Sequence, residues 1–298
     1  MADMGFPETE NALGLIAWAA GKLEESGVFK PRLNAELLLA HVTGRSRVDL
    51  YAYPERPVTR EARRAFAAAV ERRAAREPLQ YITAGKGFRY LDIYVDRRVL
   101  IPRPETELLA QRAVEAAAAR GGHPMVVDVG TGSGCVALSV ARECPGAEVY
   151  ATDISEEALE VARANAEREG LEGRVAFRHG DLLEALEGEL RGRLDVVVSN
   201  PPYIREDEFR DLPPEVREHE PYVALVAGPE GTEIHLRLMR QAFSWLAPGG
   251  LLIMEGGADQ VEGLAEEARR AGYGGVRTFP DLNGLPRVLE ARRVAGDP

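Results

Sequence analysis

Cysteine and lysine are the scarce residues of this chain, and each scarcity excludes some chemistry. Only Cys135 and Cys144 occur in 298 residues, nine apart and with no histidine cluster near them, so neither a disulfide framework nor a zinc site is indicated. No apolar run approaches the length needed to cross a bilayer, and Met1 to Gly5 lack the basic and apolar regions of a secretory leader. A cytoplasmic protein without a membrane partner is the expectation. Lysine is confined to Lys22, Lys30 and Lys86 among 37 basic residues, a composition bias that does not bear on activity. The net charge of −11 is unevenly placed: residues 1–85 hold 12 basic and 11 acidic side chains, against 25 and 37 in the remaining 213. An acidic second part argues against a protein that grips long stretches of nucleic acid through phosphates, so no direct nucleic-acid partner is expected.

The composition, 45% hydrophobic and 29% charged, is that of a globular protein with room for two domains. Residues 9–27 predict a helix with Leu13, Ile16, Ala17, Ala20 and Leu23 on one stripe. Pro31 opens a second, with Leu33, Leu37, Leu38 and Val42 at helical spacing and Gly44 as its stop. Thr59 caps an alanine-rich third that runs to about Arg76, before Pro78, while Val48–Tyr53 is too short to assign. Residues 1–84 therefore form a small helical domain without ligand-like residues, best read as a docking module. From Leu79 to Val99 apolar and polar residues alternate around Gly85 and Gly87, which predicts a β-hairpin and a linker at 85–104. In Leu100–Glu107, two prolines flank Arg103 and precede Glu105. That rigid loop either delivers Arg103 and Glu105 to a site or merely opens the next helix with acidic residues.

A catalytic domain is expected from residue 105 to 298. Met125–Val129 is an apolar run of the kind found in buried parallel strands, and it leads into Gly130-Thr131-Gly132-Ser133-Gly134 and then a helix. Glycines at alternate positions let a ligand lie against the backbone, and the helix behind them offers free N–H groups. The next strand, Glu148–Thr152, ends in Asp153, where a carboxylate can accept both hydroxyls of a ribose. The spacing is GxGxG and not GxGxxG, so no pyrophosphate needs cradling. Strand Val175–His179 leads to Asp181, able to accept from an adenine amine with Leu182 over the ring, or else to cap a helix from Leu182 to Leu190. Strand Leu194–Ser199 then ends in Asn200-Pro201-Pro202-Tyr203. The prolines stiffen the backbone and present carbonyls only, Asn200 adds a side-chain carbonyl, and Tyr203 offers a flat face. Together these suit a planar NH2 group whose two hydrogens both need acceptors.

Beyond this motif, Ile204–Tyr222 reads as a mobile flap. A helix at Gly231–Leu246, a turn at Pro248-Gly249-Gly250, a strand at Leu251–Glu255 and a helix at Gln260–Ala271 follow. The chain closes in a hairpin, Gly275–Phe279 with Arg287–Ala291, set antiparallel at the edge of the sheet. The five histidines are scattered, and none reads as catalytic.

Residues 127–134 with Asp153 resemble the cofactor loop of class I S-adenosylmethionine-dependent methyltransferases, an α/β fold whose seven-stranded Rossmann-like sheet ends in a reversed hairpin. Asn200–Tyr203 is similar to the motif by which such enzymes methylate a planar amine or amide nitrogen. Those two motifs leave adenine methylation of DNA or RNA open beside glutamine methylation. Arg76–Ile82 and Leu100–Glu107, after a small helical domain, resemble the bacterial peptide chain release factor glutamine methyltransferases, and the similarity covers essentially the whole chain. The resemblance implies a methyl transfer from S-adenosylmethionine to the glutamine of the Gly-Gly-Gln loop in class 1 release factors, the helical domain helping to hold the factor; a monomer is the separate expectation for its oligomeric state. It implies cofactor contacts at Gly130, Thr131, Gly132, Ser133, Gly134, Asp153, Asp181, Leu182 and Asn200. Catalytic roles would fall to Asn200, Pro201 and Tyr203, and substrate contacts to these with Pro202, Arg103 and Glu105. Some relatives carry an aromatic where this chain has Leu182. A non-catalytic cofactor-binding partner of translation factors is the alternative from another class.

Overall fold

The computed structural model describes residues 10–294 and divides into two compact units. The first comprises the chain up to Ala84 together with a later passage, Pro213–His219; the second comprises Gly85–Leu212 and the chain from Glu220 onward.

Up to Ala84 the first unit runs α1 (Ala12–Glu25), α2 (Pro31–Thr43), α3 (Arg47–Ala52), α4 (Arg60–Ala74) and α5 (Leu79–Thr83). Their starts are capped as the sequence demands: Asn11 accepts from Leu13 N and Thr59 from Ala62 N. The unassigned stretch around Val48 is helical because Ser46 and Asp49 form a reciprocal capping box. Leu79–Thr83, expected to begin the alternating stretch, is instead a helical turn opened by Pro78. The buried face of α1 is Ala12, Leu15, Ile16, Ala19 and Leu23, with Ala17 exposed. A helix apolar on nearly all sides does not declare its core stripe, and packing against α2 and α4 chose it. Leu38, Leu39, Leu50, Phe66 and Val70 complete this core.

The second unit opens with an antiparallel hairpin, β1 (Lys86–Phe88) and β2 (Leu91–Ile93), followed by α6 (Thr106–Arg120). Then come β3 (Met125–Val129), α7 (Cys135–Glu143), β4 (Glu148–Asp153), α8 (Glu156–Arg168), β5 (Val175–His179) and β6 (Leu194–Ser199). After β6 the chain forms β7 (Ile204–Arg205), α9 (Pro214–Arg217), which belongs to the first unit, and β8 (Val226–Gly228). It ends with α10 (Glu233–Trp245), β9 (Leu246–Glu255), α11 (Val261–Arg270), β10 (Tyr273–Pro280) and β11 (Pro286–Arg293). Seven strands form one sheet in the order β10-β11-β9-β6-β3-β4-β5, with β11 antiparallel to both neighbours and the pairs β9-β6, β6-β3, β3-β4 and β4-β5 all parallel. This is the expected α/β sheet with a reversed last strand, but that strand lies between β9 and β10, and β10 takes the edge.

Two further expectations change. Pro248-Gly249-Gly250 is not a turn before a strand; β9 already starts at Leu246, and the register jumps from Leu194↔Leu246 to Val196↔Leu251. Proline and glycines serve a bulge as readily as a turn. Leu182–Leu190 is not a helix but two 3₁₀ turns, Leu182–Ala185 and Gly188–Leu190, and the Asp181 side chain caps neither. The stretch 204–222, read as a mobile flap, contains β7, a 3₁₀ turn at Glu208–Asp211 and α9.

Pro213–His219 is tied into the helical unit by one carboxylate. Glu215 accepts from Arg76 Nε and Nη2 at 2.8 and 2.6 Å and from Arg73 Nη2 at 2.9 Å, while Arg73, only 6% exposed, also donates to Asn34 Oδ1. Although burial raises it, the two guanidiniums hold the Glu215 carboxyl down at about 2 against an ordinary 4.5. A carboxyl lowered in this way stabilises fully above about pH 4.5 and loses that contribution as pH falls toward 2. Glu215→Ala should cost the helical unit about 2 kcal/mol, the scale of hydrogen bonds to charged groups. Urea unfolding read from Trp18 in a Trp245→Phe background measures it. The difference should shrink below pH 4.5, and equal midpoints near neutrality would show that the clasp contributes nothing net.

Candidate functional site

The second unit holds a cleft at the carboxyl ends of the parallel strands, where open α/β sheets bind ligands. It is lined by Val99, Leu100, Pro102, Arg103 and Thr106 from the loop before α6 and the start of that helix, by the glycine loop after β3, by Asp153 to Ser155 after β4, and by Asp181 and Leu182 after β5. Ser199 to Pro202 at the end of β6, with Pro221, Val223, Ala224 and Val226, close it. Parallel pairing of β3, β4 and β6 brings these loops to one rim. Among the described residues no grouping of three or more His, Cys, Asp or Glu could hold a metal, and no helix is long and apolar enough to cross a membrane.

Two carboxylates hold the glycine loop. Asp153 Oδ2 accepts from Gly132 N at 2.8 Å and Oδ1 from Ser155 N at 2.9 Å. Burial raises its pKa, and those N–H groups with that of Ile154 oppose the rise. Asp128, fully buried inside β3, accepts from Thr131 Oγ1 at 2.6 Å and Ala137 N at 3.1 Å, and burial pushes its carboxyl up to about 6. Gly130 and Thr131 donate to Thr152 O, which fastens the loop to β4. Gly134 must be glycine on two counts: its φ is +83°, and a Cβ would stand 3.1 Å from that of Ala162 on α8. Beside Gly130 and Gly132, by contrast, the space a Cβ would take is open. Leu182 lines the cleft with its backbone in the left-handed region at φ +51°, a strained conformation of the kind that collects at functional sites. Asp181 is not free to face a ligand alone, because its Oδ2 accepts from Arg237 Nη2.

Asn200 is held by its nitrogen. Nδ2 donates to Thr106 Oγ1 at 3.2 Å, and Ser199 Oγ beside it donates to Val129 O at 2.6 Å, locking the end of β6 to β3. Asn200 Oδ1 and the Pro201 carbonyl take no hydrogen bond from the described residues, and both residues line the cleft with Pro202. Tyr203 is not among the lining residues. Its carbonyl accepts from Gln260 Nε2 at 2.9 Å, and burial beside Glu255 pushes its hydroxyl up to about 12. The Pro-Arg-Pro loop is anchored by Glu220, whose oxygens accept from Arg103 Nη2 at 2.6 Å and Ile101 N at 3.1 Å. Arg103 thus lines the cleft with its charge already paired, and Glu105, at the N-cap of α6, does not line it.

Sequence reasoning missed Thr106, Glu220 and the supporting part of Asp128. It also missed Glu255, although the signal was present: an acidic residue ends an apolar strand there, as Asp153 does on β4. Of the histidines, His235 is buried, and its Nε2 donates to the Glu255 carbonyl at 2.7 Å. Burial depresses it to about 4, which keeps it neutral.

Comparison with known proteins bears on both units. A family model described as the PrmC N-terminal domain matches residues 14–83, and one described as the methyltransferase small domain matches residues 105–212. The chain is 45% identical over 273 residues to a release factor glutamine methyltransferase of Chlorobaculum tepidum, covering 89% of this chain and 91% of that protein. It is 38% identical over 300 residues to the release factor glutamine methyltransferase of Rhodopirellula baltica, covering 99% and 100%. Among solved structures, a methyltransferase from Pyrococcus furiosus shares the fold, with a TM-score of 0.52 at 22% identity over 76% of this chain and all of that one. With both domain models in sequence and curated relatives aligned almost end to end, the chain belongs to the release factor glutamine methyltransferase family.

Proposed function

We propose that this protein transfers a methyl group to the side-chain amide nitrogen of a glutamine in peptide chain release factors. The observation that supports it most is the anchoring of Asn200 by its nitrogen, which leaves two oxygens, Asn200 Oδ1 and the Pro201 carbonyl, without partners at the cleft. An amide nitrogen is a poor nucleophile because its lone pair is delocalised into its carbonyl, so positioning and polarisation matter more than a strong base. In this reading the glutamine NH2 donates one hydrogen to Asn200 Oδ1 and the other to the Pro201 carbonyl. The rigid Pro201-Pro202 backbone fixes the angle between those acceptors, which aim the nitrogen and take up the positive charge that develops on it. The glutamine meant is that of the Gly-Gly-Gln loop the resemblance implies, and the helical unit, without chemistry of its own, is read as holding the factor.

The methyl donor we infer is S-adenosylmethionine, which when bound supplies a methyl carbon made electrophilic by its sulfonium. The residues present fit it. Open space beside Gly130 and Gly132 admits an amino acid end close to the backbone, and Asp153 retains lone pairs for ribose hydroxyls. Leu182 offers an apolar cover for adenine, and Asp181, paired with Arg237, remains able to accept a second hydrogen bond. Tyr203 is better read as a brace for the Pro-Pro segment than as a flank of the amide, and Arg103 as a clamp on its own loop through Glu220. The acidic balance beyond residue 85 speaks against an adenine in DNA or RNA as the substrate.

Asn200→Ala should cut kcat by about 100-fold or more, the scale of losing one preorganised polar contact, with cofactor affinity changed far less. Methyl transfer from labelled cofactor to purified release factor, with duplex DNA offered separately, and calorimetric cofactor binding measure the two effects. Loss of cofactor binding alone would overturn this role for Asn200. Asp153→Ala should do the reverse, weakening cofactor binding by about tenfold or more as a charged acceptor is lost; unchanged affinity would remove Asp153 from the cofactor site.

A further inference from the structure

Glu255 ends β9 and is 1% exposed, yet neither of its oxygens has a hydrogen-bond partner of full geometry. A carboxylate buried that deeply is costly unless paired, so a lone one calls for a function. Its position in the sheet suggests which. Ser199 pairs with Met254, so one further step in register sets Glu255 across from Asn200. Burial pushes the Glu255 carboxyl up to about 7, and the group that most opposes the rise is the Thr106 hydroxyl, followed by the Arg287 charge. Thr106 is also the residue that receives Asn200 Nδ2. The three side chains therefore form a line from β9, through the start of α6, to the cleft.

We propose that Glu255 is a positioning residue that dictates, through Thr106, which end of the Asn200 carboxamide faces the cleft. This rests on the reading of Asn200 as the acceptor for the glutamine amide. A hydroxyl has one proton to give. When Glu255 is ionised it can only accept, so the Thr106 proton goes to it and the Thr106 oxygen must accept from Asn200. Asn200 then turns its NH2 toward Thr106 and its oxygen toward the substrate. When Glu255 is protonated, Thr106 is released to donate, and the reversed Asn200 becomes acceptable. That rotamer sets an NH2 against the glutamine NH2, donor against donor.

Asp128, raised to about 6, also titrates in this range, and the limb at issue is the one near 7. His235 on α10 is held near 4 and stays neutral, while Tyr203 and Cys135 are both pushed up to about 12 and keep their protons. Arg287 is paired with Asp281, and Arg103 with Glu220, while Glu105 acts on the Glu255 carboxyl only through its charge.

The experiment measures kcat for methyl transfer to purified release factor between pH 5.5 and 8.5 (roughly, the span in which such a carboxyl titrates), alongside cofactor affinity. In the wild-type protein kcat should fall below a midpoint near 7 and level off toward the activity of Glu255→Gln. Glu255→Gln should lower the plateau about 10- to 100-fold, as when a residue orienting a contacting group is lost, and should abolish the acid limb with cofactor affinity unchanged. Thr106→Val should match it, Thr106→Ser should retain activity, and the double variant Glu255→Gln with Thr106→Val should be no worse than either. An acid limb that persists in Glu255→Gln, or losses that simply add, would overturn the proposal. So would a wild-type profile flat across neutrality, a result that needs no variant to fold. If Asn200→Ala destroys activity while Glu255→Gln keeps both plateau and limb, this inference alone fails; if Asn200→Ala is active, the reading beneath it fails as well.

Discussion

The register of adjacent parallel strands is the constraint on which the site depends. Crossover connections leave β3, β4, β6 and β9 pointing the same way, so every strand-end residue arrives at one rim. The glycine loop follows Val129, Asp153 ends β4, Asn200 follows Ser199, and Glu255 ends β9. Side chains alternate along a strand, so a slip of one residue in β6 would exchange the faces of its residues and dismantle the site. The Ser199 hydroxyl bonded to the Val129 carbonyl pins that register where the error would do most harm.

Around the rim lie four largely buried carboxylates with different ties. Asp153 is held by backbone N–H groups, Asp128 by a threonine hydroxyl and one N–H, Glu220 by a guanidinium and one N–H, and Glu255 lacks a full partner. Burial raises the pKa of all four. For Asp128 and Glu255 the folded protein binds protons more readily than the unfolded chain. Their part in stability is therefore full below the ordinary carboxyl range and declines as pH rises through about 6 and 7. At neutral pH the site keeps charges that a core optimised for stability would discard. Such charges suit the cationic methyl donor and the nitrogen that becomes positive in the reaction proposed for this cleft.

The Pro-Arg-Pro loop shows how a motif can be legible while its use is not. Two prolines around Arg103 announce a rigid, extended segment, and the loop is one. The partner its arginine takes within the chain is Glu220, 117 residues away and nearly fully buried, which lies too far along the chain for any spacing to reveal. Tyr203 teaches the same point, since its neighbours Glu255 and Arg287 come from β9 and β11.

The local pattern alone determined the alternation of strands and helices, the glycine loop, the strand-terminal Asp153 and the Asn-Pro-Pro-Tyr turn, because each is written in consecutive residues whose backbone preferences agree. Tertiary structure decided the placement of β11 inside the sheet, the buried stripe of α1, the bulge at Pro248 to Gly250 and the attachment of Glu215 to Arg73 and Arg76. It also decided which end of Asn200 is anchored, since that anchor is Thr106, 94 positions earlier. Hydrogen bonds and packing between residues far apart in sequence carry no periodic signature, so only the folded chain could make those choices.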